Sequence, residues 1–156
     1  MVASNKDLKR AKGGLAAPQH YNAKIDDFEY AQGENGASFV TVRNPVLDVD
    51  LQLAAGSPGE GNPFTPTTGN YTLTCEITGT STSRTVVFEI AGPSGVYIPT
   101  TAYNVADPTK YGPQTTGGSD TAPESWQVDV PAGFSFRARL SAVAGGNVTI
   151  KGKAVS

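Results

Sequence analysis

Apolar and polar residues alternate with a period of two along most of the chain after residue 38. In segment 71–77 every odd-numbered residue is apolar or aromatic, and every even-numbered one is Thr or Glu. This alternation is typical of a β-strand with one buried face. In segment 47–53 it places Leu53 on the buried face and Gln52 on the exposed face. Further strands are expected in the segments 39–42, 86–90, 126–130, 134–142 and 148–154. Roughly seven or eight strands favour an all-β, antiparallel β-sandwich, jelly-roll-like in type.

The last two strands predict a β-hairpin. Gly145 and Gly146 lie between the segments 134–142 and 148–154, and glycine readily adopts the positive φ angles that a tight turn needs. The outward face of this hairpin carries four cations, and outward positions of earlier strands carry four acids. These residues are Arg137, Arg139, Lys151 and Lys153, and Asp48, Asp50, Glu76 and Glu89. Opposite charges on neighbouring strands can pair, and a solvated sheet face is the simplest interpretation of them.

Length and composition set further limits. A chain of 156 residues can form one domain with a core, and 18 Gly and 11 Pro favour strands joined by turns over long helices. Cys75 is the single cysteine, which excludes an intrachain disulfide and suits a reducing compartment. No run approaches the ~20 apolar residues that span a bilayer. We therefore predict no membrane partner and synthesis in a cytoplasm.

Charge divides the chain into two parts. Residues 1–24 carry five cations and one acid, a net charge of +4, whereas the remaining residues carry seven cations and 13 acids, a net charge of −6. We therefore predict an extended N-terminal arm over 1–37, basic and then acidic, followed by a β-sandwich domain over 38–156.

Two segments of the domain are longer than a sandwich requires. Residues 54–69 are rich in Gly and Pro, and residues 93–124 contain five prolines. Both are predicted to be long loops, which in compact domains are often functional. The second contains Tyr97, Tyr103 and Tyr111 among small polar residues, a mixture typical of binding surfaces. The alternative is that these tyrosines only pin the loop to its own domain, and the residues favour neither interpretation.

Residues that could support catalysis or bind a metal are few. The single histidine, His20, lies in the arm, and together with Cys75 it supplies too few ligands for zinc and no catalytic triad. A glycosidase needs two carboxylates, for which Glu76, Glu89 and Asp129 are candidates, but no aromatic and acidic cluster marks a cleft. No phosphate-binding glycine motif follows a strand. We therefore predict no catalytic residue, no metal and no cofactor.

The cations at the start of the arm are candidate partner-binding residues. They are Lys6, Lys9, Arg10 and Lys12. Four cations make a small footprint for nucleic acid, and no aromatic residue lies among them to stack on bases. An acidic protein surface suits them at least as well, so we predict a protein partner and no nucleic acid. A solvated, disordered tail is the alternative interpretation.

An arm followed by a Gly-, Thr- and Ser-rich β-sandwich resembles the architecture of bacteriophage virion accessory proteins, namely capsid decoration (cement) proteins and capsid-proximal domains of head or tail fibres. The run 126–134, WQVDVPAGF, is similar to the closing strands of such domains. The resemblance implies a non-enzymatic structural protein of the virion, assembled in the host cytoplasm. It implies a homo-oligomer, often a trimer, whose arm docks on the major capsid protein or other virion subunits. A glycan-binding module for host adhesion is the alternative, with Tyr97, Tyr103, Tyr111 and Trp126 as stacking faces.

Overall fold

The computed structural model describes residues 19–22, 27–30, 33–34, 37–38, 46–115 and 122–156. The chain divides into two compact units, Met1–Arg43 and Asn44–Ser156. The described strands of the first unit form two antiparallel pairs, β1 (Gln19–Asn22) with β2 (Asp27–Tyr30) and β3 (Gly33–Glu34) with β4 (Ala37–Ser38). The strand predicted over 39–42 and the cations of the arm lie outside the described residues. In the part of the chain that is described, no helix has the length and hydropathy to cross a membrane.

The second unit is a sandwich of two sheets. Its described strands are β5 (Val46–Ala55), β6 (Tyr71–Gly79), β7 (Ser83–Ala91), β8 (Tyr97–Pro99), β9 (Ala102–Asn104), β10 (Tyr111–Gly112), β11 (Glu124–Val130), β12 (Ser135–Ala144) and β13 (Val148–Val155). They form a six-stranded sheet in the order β10-β9-β11-β6-β13-β5 and a three-stranded sheet in the order β12-β7-β8. All these strand pairs are antiparallel. The predicted antiparallel β-sandwich is confirmed.

The core lies between the two sheets and follows from the alternation of side chains. The four odd-numbered residues of segment 71–77 in β6 are all buried, as predicted. From the other sheet, Phe88 of β7 packs on Trp126 of β11 with the ring centroids 5.2 Å apart. Burying one large apolar side chain contributes roughly 1.5–3 kcal/mol. Contacts of this kind hold the inner faces of the two sheets together.

The prediction for the end of β5 is wrong. Gln52 is 6% exposed and Leu53 is 55% exposed, the reverse of the expected faces. The strand bulges here. The bulge is visible in the register against β13, which shifts on both sides of Ile150, and in the φ angle of 48° at Ala54. An extra residue in a strand moves the side chains that follow it to the opposite face. The Gln52 amide now donates a hydrogen bond of 3.0 Å to the carbonyl of Ala138 in the other sheet.

The β-hairpin predicted at Gly145 and Gly146 is also wrong. The strand before these glycines, β12, lies in the three-stranded sheet, and the strand after them, β13, lies in the six-stranded sheet. The turn therefore crosses from one sheet to the other. Both glycines have positive φ angles, 67° and 151°, so the turn was predicted correctly but its connection was not.

A second crossing, from β6 to β7, is bonded to the first. The backbone N–H of Thr80 donates to the carbonyl of Asn147 at 3.0 Å, and that of Thr82 donates to the carbonyl of Ala144 at 2.9 Å. The contact is close enough that a Cβ on Gly145 would collide with the side chain of Thr82. The packing of the two crossings thus requires glycine as much as the turn angle does.

The two segments predicted as long loops are bonded to the domain. Within 54–69, Gly59 and Phe64 each exchange two backbone hydrogen bonds with β12, with N···O distances of 2.7–3.0 Å. Within 93–124 lie the short strands β8, β9 and β10, and the N–H of Thr115 donates to a carbonyl of β7 at 2.9 Å. The described parts of both segments therefore extend the two sheets.

Gly145→Ala is expected to destabilise the protein more than Gly95→Ala. The φ angles are similar, 67° and 70°, so each alanine carries the same cost of a left-handed conformation, about 1–2 kcal/mol. An added Cβ meets nothing within 4 Å at Gly95 but meets Thr82 at Gly145. Overpacking there adds about 1–3 kcal/mol. Urea unfolding of the two variants measures the difference, and equal losses would show that the contact between the crossings is unimportant.

Candidate functional site

The outer face of the six-stranded sheet presents a continuous row of exposed side chains. The register places one residue of each strand opposite one residue of the next. In sheet order the row consists of Tyr111, Tyr103, Gln127, Thr74, Lys153 and Asp48, all of them exposed. With neighbouring strands about 4.8 Å apart, the row is roughly 24 Å long.

Tyr103 and Tyr111 form an aromatic pair at one end of this row. Their ring centroids are 6.0 Å apart with an angle of 32° between the planes, and the residues are 54% and 67% exposed. A groove of about 170 Å³ beside Tyr103 is also lined by Thr72, Gln127 and Asp129. We call these five residues the tyrosine groove. Strand alternation explains it, since the groove residues of β11 point outward between buried neighbours.

The polar side chains of the tyrosine groove keep hydrogen-bonding capacity. Thr72 Oγ1 donates to Asp129 Oδ1 at 2.8 Å, which orients the carboxylate. The amide of Gln127 makes no hydrogen bond to another described residue. A carboxylate accepts and an amide both donates and accepts, so the groove offers both kinds of partner to a bound molecule.

The other end of the row is neutralised by ion pairs. Lys153 Nζ lies 2.6 Å from Asp48 Oδ1, and Lys151 Nζ lies 3.3 Å from Asp50 Oδ1. The hydrogen bond and the positive charge of Lys153 lower the pKa of Asp48. The cross-strand pairing expected from the sequence is confirmed at both positions. Pairs as exposed as these contribute little to stability.

A second group of charges lies on the outer face of the three-stranded sheet. Glu89 accepts hydrogen bonds from Nε of Arg137 and Nε of Arg139, both at 2.8 Å. Arg137 also lies 2.7 Å from Glu60 and its guanidinium stacks 3.8 Å above the ring centroid of Tyr97. We call these five residues the arginine cluster. Glu89 points outward as predicted but is only 6% exposed, and Glu60 and Tyr97 bring both long segments onto this sheet.

The carboxylates considered for glycosidase chemistry do not share a cleft. Glu89 lies in the three-stranded sheet, held by two arginines, whereas Glu76 and Asp129 are exposed on the six-stranded sheet. Among the described residues, no group of three or more His, Cys, Asp or Glu could hold a metal ion. Burial raises the pKa of the Cys75 thiol to about 12, so the thiol is protonated near neutral pH and is a poor nucleophile.

The structure separates the aromatic residues that the sequence suggested for binding. The Tyr97 ring lies under Arg137 and its hydroxyl donates to Ser135 Oγ at 3.0 Å, so this tyrosine pins its segment to the domain. Tyr103 and Tyr111 lie together in the tyrosine groove. Trp126 is 2% exposed and belongs to the core, so it offers no stacking face. The predicted partner-binding cations of the arm lie outside the described residues, and they remain a prediction.

Sequence reasoning missed the polar side of the tyrosine groove. Thr72, Gln127 and Asp129 share the outward parity of their strands, which is visible in the sequence. Their position beside Tyr103 follows from the pairing of β9 with β11 and of β11 with β6. A period-two pattern assigns faces but does not say which strands are neighbours.

The chain is an antiparallel β-sandwich protein with an open outer face, and comparison with known proteins gives its family. The family model of XepA matches residues 45–154, so the chain belongs to the XepA family. None of the curated proteins matches this sequence.

Two solved structures resemble the chain. The SPBc2 prophage-derived protein YomS is 29% identical, with a TM-score of 0.66, and the match covers 76% of this chain and 100% of YomS. The PBSX exported protein XepA is 24% identical, with a TM-score of 0.70, and the match covers 99% of this chain and 50% of XepA. The chain therefore spans half the length of XepA. Membership of the XepA family and the similarity to a prophage-derived protein together associate this protein with bacteriophage.

Glu89→Gln is expected to lower the free energy of unfolding at neutral pH and to make it less dependent on pH in the acidic range. Burial opposes ionisation of Glu89, but hydrogen bonds from Arg139 and Arg137 outweigh it and hold the pKa below its ordinary value of 4.5. A carboxylate whose pKa is lower in the folded than in the unfolded protein contributes stability above its unfolded pKa, and this is lost as the pH falls through the folded pKa. Loss of the charged acceptor costs about 2 kcal/mol near pH 7.

Urea unfolding at several values between about pH 3 and 7 measures this effect. Asp48→Asn is the control, because the pKa of Asp48 is also lowered but its pair with Lys153 is exposed; this variant is expected to follow the wild type. If Glu89→Gln and the wild type lost the same amount of stability on acidification, Glu89 would be excluded as the source of the pH dependence.

Proposed function

We propose that this protein is a non-enzymatic structural protein of a phage particle, which decorates a capsid, or attaches to a head or tail, by docking its N-terminal arm on neighbouring subunits. The observation that carries the proposal is membership of the XepA family together with the match to prophage-derived YomS. That match covers the whole of YomS, so a prophage-derived protein of the matched length exists.

The described surface supports a role in binding rather than in chemistry. The carboxylates of the arginine cluster and of the exposed row form ion pairs with cations. The other carboxylates considered for glycosidase chemistry, Glu76 and Asp129, lie exposed on the six-stranded sheet. Apolar side chains are exposed at the start of the edge strand β5, where Val46 lies opposite Val155 of β13 on one face and Leu47 lies on the other face. Exposed apolar residues grouped in this way suit contact with another subunit.

In the proposed mechanism the arm and the apolar edge have different tasks. The arm cations would be attracted to an acidic surface of the major capsid protein or another virion subunit, which favours encounter and orientation. Burial of apolar area such as Val46, Leu47 and Val155 would then supply most of the affinity. We extend the proposal to a homo-oligomer, with a trimer as its simplest form on a particle.

A second candidate follows from the description of XepA as an exported protein. A relative of XepA could act outside the cytoplasm without being part of the particle. The two candidates differ in where the protein is found after lysis, which is bound to particles in the first case and free in the medium in the second.

Neutralising the arm is expected to release the protein from particles while leaving it folded. The test variant replaces the cations Lys6, Lys9, Arg10 and Lys12 by Gln, which removes the charge that the proposal assigns to docking. Phage particles purified on a density gradient are assayed for bound protein, with a loss of at least about tenfold expected. The control carries Lys110→Gln and Lys151→Gln, at two exposed cations of the second unit, and is expected to remain bound.

Full occupancy by the neutralised variant would contradict docking through the arm. Wild-type protein that never migrates with particles, and is instead recovered from the medium, would contradict the first candidate and support the second. Circular dichroism of each variant checks that the fold is retained.

A further inference from the structure

We propose that the tyrosine groove binds a neutral, β-linked polysaccharide chain. Tyr103 and Tyr111 are the stacking platforms, and Gln127 and Asp129 are the hydrogen-bonding partners of sugar hydroxyl groups. This inference goes beyond the structural role proposed above and does not depend on it, because it concerns the outer face of the six-stranded sheet alone.

The two groove tyrosines are not used by the fold. Tyr71 is a buried core residue and Tyr97 is held by Arg137 and Ser135. Tyr103 and Tyr111, in contrast, are more than half exposed, and their hydroxyl groups make no hydrogen bond to a described residue. Their packing partner on this face is each other. An exposed aromatic side chain forgoes the free energy that its burial would contribute. A pair of such side chains on one face therefore indicates a binding surface.

The groups around the rings match the chemistry of a sugar. One face of a β-linked pyranose presents C–H groups, which are attracted to the negative face of an aromatic ring. Its edge presents hydroxyl groups, each of which donates and accepts hydrogen bonds. Beside Tyr103 the groove offers the amide of Gln127 and the carboxylate of Asp129, oriented by Thr72. A ring platform next to planar polar side chains is therefore complementary to both parts of the sugar.

The charge of the site disfavours an anionic ligand. Asp129 is an acid in the groove, and Lys153 in the same row is paired with Asp48. Single-stranded nucleic acid also stacks on tyrosines, but its phosphates need a positively charged groove. The described residues provide none here, so a neutral ligand is favoured.

The surroundings of the rings also favour a glycan over a protein. A protein interface of standard size has an apolar centre in which its aromatic anchors are embedded. Here the apolar residue in the groove lining, Val128, is only 5% exposed. The exposed Val46 and Val155 lie at the opposite edge of the sheet. The tyrosines are bordered by Gln, Thr and Asp instead.

The shape of the site indicates the interior of a chain as the ligand. The groove opens onto the row that runs across six strands, and the residues of this row are all exposed. A closed pocket would select a chain terminus or a single sugar, whereas an open row admits several consecutive units. A β-1,4-linked chain is extended, and this shape fits an exposed row that crosses the sheet.

Binding of defined oligosaccharides to the full chain tests the inference. Isothermal titration with cellohexaose and chitohexaose, both neutral and β-1,4-linked, is expected to show binding of at least one. Tyr103→Ala and Tyr111→Ala are each expected to weaken it about tenfold, whereas Tyr103→Phe, which keeps the ring, stays within about twofold. Gln127→Leu is expected to weaken it without affecting the rings. Ile98→Ala, at an exposed apolar residue of the other sheet, is the control and leaves binding unchanged.

Several results would overturn the inference. Absence of binding to both β-linked probes, or binding that survives both tyrosine to alanine substitutions, would remove it. Tighter binding of maltohexaose, which is α-linked, or of an oligothymidylate would show that the ligand class is wrong. Because all the substituted side chains are exposed, melting temperatures within a few degrees of the wild type are expected. The particle-binding assay is separate, so failure here and failure of the proposed structural role are distinguishable.

Discussion

The sandwich depends on two chain crossings that are bonded to each other. The described strands of the second unit change sheet after β6, β8, β11 and β12. The turns after β6 and β12 meet through backbone hydrogen bonds between Thr80 and Asn147 and between Thr82 and Ala144. Sheets that share only apolar contacts can slide, because the hydrophobic effect has no direction. The hydrogen-bonded crossings add direction to the interface in which Phe88 packs on Trp126.

With the inner faces occupied, the two outer faces differ in what they present. The three-stranded sheet is covered by the arginine cluster, in which Glu60 and Tyr97 fasten two long segments over Glu89. The six-stranded sheet has no such cover among the described residues, and its outward side chains remain exposed from Tyr111 to Asp48. The surface available for recognition is therefore an open sheet face, with aromatic rings at one end and ion pairs at the other.

Local patterns predicted the strands well, and long-range pairing was beyond them. The alternation in segment 71–77 predicts burial directly, because an apolar side chain favours the core and a polar side chain favours water. Gly145 and Gly146 give the same local signal whether the next strand pairs with the last or joins another sheet. The inward turn of Gln52 depends on Ala138, which lies 86 residues away in sequence. For the same reason only the tyrosines of the tyrosine groove were predicted. Both rings come from one segment, whereas the polar side chains beside them come from strands elsewhere in the chain.

The bulge in β5 has a consequence for how copies of this protein meet. β5 ends the six-stranded sheet, and no described strand pairs with its free side. A free edge of this length is a template on which further strands can add. Ala54 departs from the extended conformation there, and the carbonyl of Leu51 already accepts a hydrogen bond of 2.8 Å from the N–H of Asn62. The irregularity that carries Gln52 into the core thus also makes the edge a poor starting point for amyloid-like growth.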